Sequence, residues 1–347
     1  MNILKKERIT DSALTFLLCT VVILLICFSD SARQGAKSGF LMCEEIIIPS
    51  LLPVLIICKF IITSRLSRVF EILFGRIFEF VFSLPKESAG AVILGLISGY
   101  PSGAFLTCSL YERGIIDESE AERIMSFNVC SGVAFSVTAV GTVTYSSTKA
   151  GVVFYICNVL SSLCVAYISR FLTKEKAHVY GSSKIGFSSL SDAFCSSVES
   201  AVKALALMSA YIIFFSVLTE IIHPHDFLIP LLEITNGICN NTPPPAYAVF
   251  FLSFGGICVH LQLLPFLNKM KINYPHFLIG RMSCSVLSFA FYKLYSLVFS
   301  ESEAVFSNIS SPAHSFSSGG IELSLVMITG CAVIILDIES RKIKLHS

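Results

Sequence analysis

Long apolar runs separated by short polar stretches organise this chain, and most are long enough to predict helices rather than strands. The first runs from Ala13 to Phe28, behind Lys5, Lys6 and Arg8. It resembles a secretory leader, but Ser29-Asp30-Ser31-Ala32-Arg33 is a weak cleavage site and further apolar runs follow. It therefore reads as a first transmembrane helix with its basic end in the cytoplasm. Residues 40–63 form a second apolar segment, with Glu44 and Glu45 near one end and Pro49 and Pro53 in its middle. Residues 65–82 differ. There Arg65, Arg68, Arg76 and Glu79 recur at helical steps among Val69, Ile72, Leu73 and Phe78, the pattern of an amphipathic helix at the interface or against a bundle.

The next apolar segment is interrupted. From Ala89 to Leu110 it carries no charge, yet Ser98-Gly99-Tyr100-Pro101-Ser102-Gly103-Ala104 sits at its centre. Proline removes a backbone donor, and freed backbone groups at membrane depth survive only where protein or a cavity covers them. Residues 88–112 are therefore expected to form two half-helices or a re-entrant hairpin. Asp117-Glu118-Ser119-Glu120 opens the following helix with a D-x-x-E start. That helix is expected to pass Asn128, Ser131 and Gly132 and to reach Thr148. A spanning helix over 150–169 and a polar connector from Arg170 to Ser191 close the first half.

The second half follows the same order. An apolar helix over 201–222 precedes a His223-Pro224-His225-Asp226 turn, then a short segment over 227–240 holds Glu233 and Asn236. Thr242-Pro243-Pro244-Pro245 leads into an apolar run broken at Gly255-Gly256. Helices over 277–299 and 323–336 and a tail with Arg341, Lys342 and Lys344 complete the pattern. Sliding the chain against itself by 157 residues lays Gly99 on Gly256. The same frame lays Ala89-x-Ala91-Val92 on Ala246-x-Ala248-Val249, and Met125-Ser126-x-x-Val129-x-Ser131 on Met282-Ser283-x-x-Val286-x-Ser288. The expected organisation is an N-terminal transmembrane helix (1–34), a first repeat (35–170), a polar connector (171–191), a second repeat (192–338) and a basic tail (339–347).

Composition fixes the class. Mean hydropathy is +0.76 and only 14% of the 347 residues are charged, against roughly 25% in a soluble domain. The expected fold is all-α: a polytopic membrane protein with two structural repeats containing broken or re-entrant helices, transporter-like in design. A net charge of +1 gives no reason to expect a nucleic-acid partner. The thirteen cysteines form no C-x-x-C pair and lie mostly in apolar runs, as small buried residues do. No Walker loop, H-E-x-x-H or G-x-S-x-G elbow appears, so no enzyme activity, cofactor or metal is expected. Transport driven by this chain alone would be passive or ion-coupled.

Paired broken segments in two halves point to a substrate site between them. The first expected contacts are Gly99, Tyr100, Pro101, Ser102 and Gly103, with the Ser102 hydroxyl and nearby amides as donors. Gly255, Gly256, His260 and Gln262 form the mirror set, His260 lying one turn from Gly256. A satisfied packing role is the alternative for His260, and a close glycine-mediated helix crossing is the alternative for Gly255-Gly256. Asn128 and Ser131 could reach the same cavity or simply bond a neighbouring helix. Glu233 with Asn236, and Glu44 with Glu45, are candidate ion-coupling groups. An interfacial helix end equally accounts for Glu44 and Glu45.

Pro49-Ser50-Leu51-Leu52-Pro53, the Ser98–Ala104 block, Glu120-Ala121-Glu122-Arg123 and Phe254-Gly255-Gly256-x-x-Val259-His260-x-Gln262 together resemble the YlbJ (SpoVV) sporulation integral membrane proteins. Those group with the nucleoside-recognition, or gate-domain, membrane proteins. The resemblance implies a forespore-membrane protein that helps pass dipicolinic acid from mother cell to forespore, on a fold similar to concentrative nucleoside transporter cores. Phe105 and Ile257-Cys258 depart from that pattern, Phe105 standing where a basic residue is expected. The implied partners are a small-molecule substrate and the bilayer, with a homo-oligomer and sporulation membrane partners left open. A nucleoside or nucleobase carrier, and a non-transporting scaffold in spore-envelope assembly, are the alternative functions.

Overall fold

A computed structural model describes residues 15–16, 18–64, 66–172 and 189–299, and every regular element in them is helical. The expected helix over 323–336, the basic tail, the N-terminal basic cluster and most of the connector lie outside the described residues. Among the described residues, five helices are long and apolar enough to cross a membrane: Ser29–Thr63, Thr148–Phe171, Leu190–Ile222, Pro245–Lys269 and Tyr274–Val298.

The first of these joins two unlike halves. Helix α1 (Leu18–Cys27) is followed directly by α2 (Ser29–Met42), a π-helical turn (Cys43–Ile47) and α3 (Ile48–Thr63). Residue 34 marks no break, because α2 runs through it. Glycine spacing explains why α2 packs despite its polar sequence. A Cβ on Gly35 would meet the Ser216 carbonyl at 2.7 Å, and one on Gly39 the Ser216 hydroxyl at 2.8 Å. This Gly-x-x-x-Gly face lets α2 press on α9 (Leu190–Ile222). Further along, Phe60 meets Phe194 edge-on and Thr63 bonds Ser197 at 3.1 Å, so α3 continues along the same partner in the antiparallel sense.

The amphipathic stretch folds as expected into α4 (Ser67–Ile77) and a π-helical turn (Phe78–Phe82). Its Ile72 and Phe80 are each 79% exposed, as lipid-facing residues would be. The interrupted segment becomes α5 (Ser88–Ser98) and α6 (Ser102–Glu112), which pack on one another across Gly99-Tyr100-Pro101. Asp117 caps α7 (Glu118–Phe127) through a complete capping box with Glu120.

The expected continuous helix to Thr148 does not form. It ends at Phe127, and Asn128–Gly132 is irregular before a π-helical stretch (Ala134–Thr144). The cause is steric: Gly132 packs against the backbone at Ser98, where an added Cβ would fall 2.5 Å from the carbonyl. Helices α8 (Thr148–Leu172), α10 (Ile229–Leu232), α11 (Ile234–Cys239), α12 (Pro245–Phe254), α13 (Gly256–Lys269) and α14 (Tyr274–Val298) follow. Helix α5 begins at Ser88 and α12 at Pro245, while α6 ends at Glu112 and α13 at Lys269. Both pairs are 157 residues apart. Lys269 and Glu112 form an ion pair, and α14 crosses α7 where Gly280 abuts Ser126.

Polarity is distributed from inside out. Large apolar side chains such as Ile279, Val286, Leu294 and Leu297 are exposed, whereas Ser102, Asn128, Ser131, Asn158, Ser253 and Arg281 are buried. That inversion suits a chain whose solvent is lipid and whose interior bonds polar groups to one another.

Candidate functional site

Four irregular stretches meet in the interior. Gly99 adopts φ +78°, which favours glycine, and the Tyr100–Pro101 peptide is cis. The Tyr100 amide donates to the Cys130 carbonyl at 3.0 Å, and a Cβ on Gly99 would lie 2.2 Å from the Gly132 nitrogen. Residues 99–101 thus lock onto 128–132 backbone to backbone. The Ser131 amide then donates to the Leu252 carbonyl at 3.3 Å, tying both to the last turn of α12. Gly256, at φ +71°, backs onto the fourth stretch: its Cβ would meet the Pro230 carbonyl at 2.9 Å, beside the α10–α11 junction at Glu233.

The sequence-derived residues divide by whether their polar atoms are satisfied. Tyr100 and Ser102 are buried, and neither hydroxyl has a partner. Asn128 reaches the Gly103 carbonyl and Thr107 only at 3.5 Å each, while its Oδ1 is unpaired. Gln262 touches the Cys258 sulfur at 3.4 Å and leaves Oε1 unpaired. Pro101 and Gly103 shape the break itself: a Cβ on Gly103 would fall 1.9 Å from the Asn128 carbonyl oxygen.

Other members of the set are structurally committed. His260 contacts the Phe254 carbonyl through Nε2 at 3.2 Å and the Tyr274 hydroxyl through Nδ1 at 2.9 Å. Because a carbonyl only accepts, Nε2 carries the proton and Nδ1 accepts from Tyr274. This clamps α13 to the end of α12 and the start of α14. The Ser131 hydroxyl pairs with Ser136 at 2.7 Å and receives Asn158 at 3.1 Å. Glu233 caps α11, its two oxygens accepting from Thr235 at 2.9 Å and Asn236 at 2.6 Å. Asn236 donates to Ser216 of α9 and accepts from Asn240. Glu44 and Glu45 are exposed in the π-helical turn between polar α2 and apolar α3.

Two buried cations complete the region, and neither was singled out from the pattern of residues. Lys59 in α3 lies with Nζ 3.9 Å from the Phe105 ring centre and donates to the Ser200 carbonyl at 3.1 Å. Arg281, fully buried in α14, donates through Nη2 to the Ser253 carbonyl, while Nε and Nη1 have no acceptor. Tyr100 sits in the electrostatic fields of both Arg281 and Glu233. A charge inside an apolar segment is itself the signal that could have found both residues.

Apolar spans on the outside, with broken helices and unpaired polar atoms within, define an integral multi-pass membrane protein with a polar interior. The chain is 27% identical to the sporulation integral membrane protein YlbJ of Bacillus subtilis (strain 168), over 85% of its own length and 84% of that protein. It is a homologue of that protein. No family model matches the chain, and no solved structure matches it.

Proposed function

We propose that this protein is a carrier for a small aromatic carboxylate, dipicolinate foremost, acting in a membrane of the sporulating cell such as the outer forespore membrane. One observation carries the reading: buried polar atoms without partners gather where the helix breaks meet. The Tyr100, Ser102 and Ser253 hydroxyls, Asn128 Oδ1, Gln262 Oε1 and the Nε and Nη1 of Arg281 all belong to this group. Buried polar groups are ordinarily bonded, and leaving several of them open in one place suits a visiting solute with acceptors and donors of its own. The matching bounds of α5–α6 and α12–α13 favour two related halves with the solute between them, each break acting as a re-entrant or half-helix end. The sporulation setting rests on the homologue's name and on the resemblance of the Ser98–Ala104 block. With no nucleotide-binding motif on the chain, movement would follow the solute gradient or a coupled ion.

The test is the dipicolinate content of spores from a strain lacking this protein, with and without dipicolinate in the medium. Content should fall and external dipicolinate should restore little of it. Normal content in the deletion strain would overturn the assignment. A scaffold, by contrast, would leave dipicolinate uptake by proteoliposomes absent while spore-envelope defects persisted.

A further inference from the structure

We infer that Arg281 is the contact that receives the charged group of the solute, and that this group is an oxyanion. The inference deepens the carrier reading and rests on it. A guanidinium offers five N–H donors and stays charged at any physiological pH. Arg281 uses Nη2 on the Ser253 carbonyl, which caps the end of α12 where the helix dipole is negative. That contact explains one donor and no more. Nε and Nη1 stay without acceptors in a side chain with no exposure, a poor state for a charge unless something else arrives.

Among the described residues no group fills that role. Among the described residues no carboxylate forms an ion pair with Arg281. The buried carboxylate whose field reaches the same region, Glu233, spends both oxygens on α11 amides. Arg123 provides an internal contrast. It lies one residue out of register with Arg281 in the 157-residue frame, and it donates to both the Phe82 and Ser83 carbonyls with acidic Glu120 nearby. Nε is unpartnered in both, but Arg123 has two carbonyl acceptors where Arg281 has one, and of the two only Arg281 leaves a terminal nitrogen, Nη1, open. Ser253 carries the capped carbonyl, its own hydroxyl is unpaired, and the Tyr100 hydroxyl is unpaired in the field of the same guanidinium. An oxyanion would answer all of these donors together, and the planar fork of arginine suits a carboxylate best.

Binding to the purified full-length protein in nanodiscs tests this by calorimetry. The probes are pyridine-2,6-dicarboxylate, benzoate, inorganic phosphate and neutral uridine. Wild type should bind at least one oxyanion, and Arg281→Gln should weaken that binding by roughly tenfold to a hundredfold, the range for a lost charge-assisted bond. Carboxylate and phosphate arms distinguish which oxyanion the site takes. Should Arg281→Gln fail to fold, Arg281→Lys keeps the charge without the fork and should still bind about tenfold more weakly at an unchanged melting temperature. Unchanged affinity in either folded variant, or no oxyanion binding by wild type, overturns the assignment. Proteoliposome uptake separates the two readings. Arg281-dependent binding without uptake sinks the carrier and keeps the contact, whereas uptake indifferent to Arg281→Gln does the reverse.

Discussion

The two helix breaks occupy matching places 157 residues apart, yet they are held in different ways. At the first, Gly99 and Gly132 meet backbone to backbone, so neither can carry a side chain without moving two segments. At the second, Gly255 needs its positive φ of +93°, but an added Cβ would meet only Val259 side-chain atoms at 3.2 Å or beyond. The first break is fixed by backbone-to-backbone packing at Gly99 and Gly132, and the second by the conformation of Gly255, the His260 clamp and the seat of Gly256 on the Pro230 carbonyl, where a Cβ would lie at 2.9 Å. A further asymmetry follows downstream. Asn128–Gly132 is irregular, whereas the corresponding 285–289 stays inside the unbroken α14. Similar sequence thus yields two junctions held by different contacts.

Substitutions can break or sharpen that contrast. The largest effect is expected at Gly99→Leu, which combines a left-handed backbone with a 2.2 Å overlap on Gly132. It should cost about 3 kcal/mol or more and abolish uptake, read by thermal unfolding in detergent and by proteoliposome assay. Gly255→Ala adds only conformational strain and should cost about 1–2 kcal/mol. Equal losses at the two glycines would erase the distinction drawn here. Next comes His260→Ala, which removes the bonds to Phe254 and Tyr274 and opens a small gap. A loss of about 2–3 kcal/mol is expected in the melting curve. Were His260 a solute contact instead, binding would fall while stability held.

The smallest effect belongs to the ion pair that joins the ends of α6 and α13. Glu112 and Lys269 are each about half exposed, so Glu112→Gln should change stability by less than about 1 kcal/mol, and less still in high salt. A double-mutant cycle with Lys269→Gln reads the coupling directly. A large coupling energy would make this contact, rather than the glycines, the tie between the two halves.

Much of this was legible from residue order because glycine and proline announce themselves. Gly99, Pro101 and Gly255 mark their breaks in plain sequence, and Asp117 with Glu120 marks its helix start. The break at Asn128–Gly132 was not legible, since it contains no proline and is imposed by a distant glycine. Arg281 was passed over for a different reason. Its charge inside an apolar segment is a sequence signal, but two turns into α14 such a charge also reads as the edge of a span, and burial with Nε and Nη1 unpaired decides between the two. Glu233 ran the other way: a carboxylate among apolar neighbours suggested ion coupling, but its oxygens proved to be bonded locally as a helix cap. Sequence gives the kind of group and its rough depth. Only three-dimensional packing decides whether its bonding capacity is already used.

The long pair formed by Ser29–Thr63 and Leu190–Ile222 has a consequence for how the molecule meets its bilayer. At about 1.5 Å per residue, helices of 35 and 33 residues extend roughly 50 Å. The hydrocarbon layer is only about 30 Å thick. The pair must therefore stand proud of the membrane or lean within it. Lipid thickness, rather than any ligand, would then set how steeply the pair leans or how much of it stands clear.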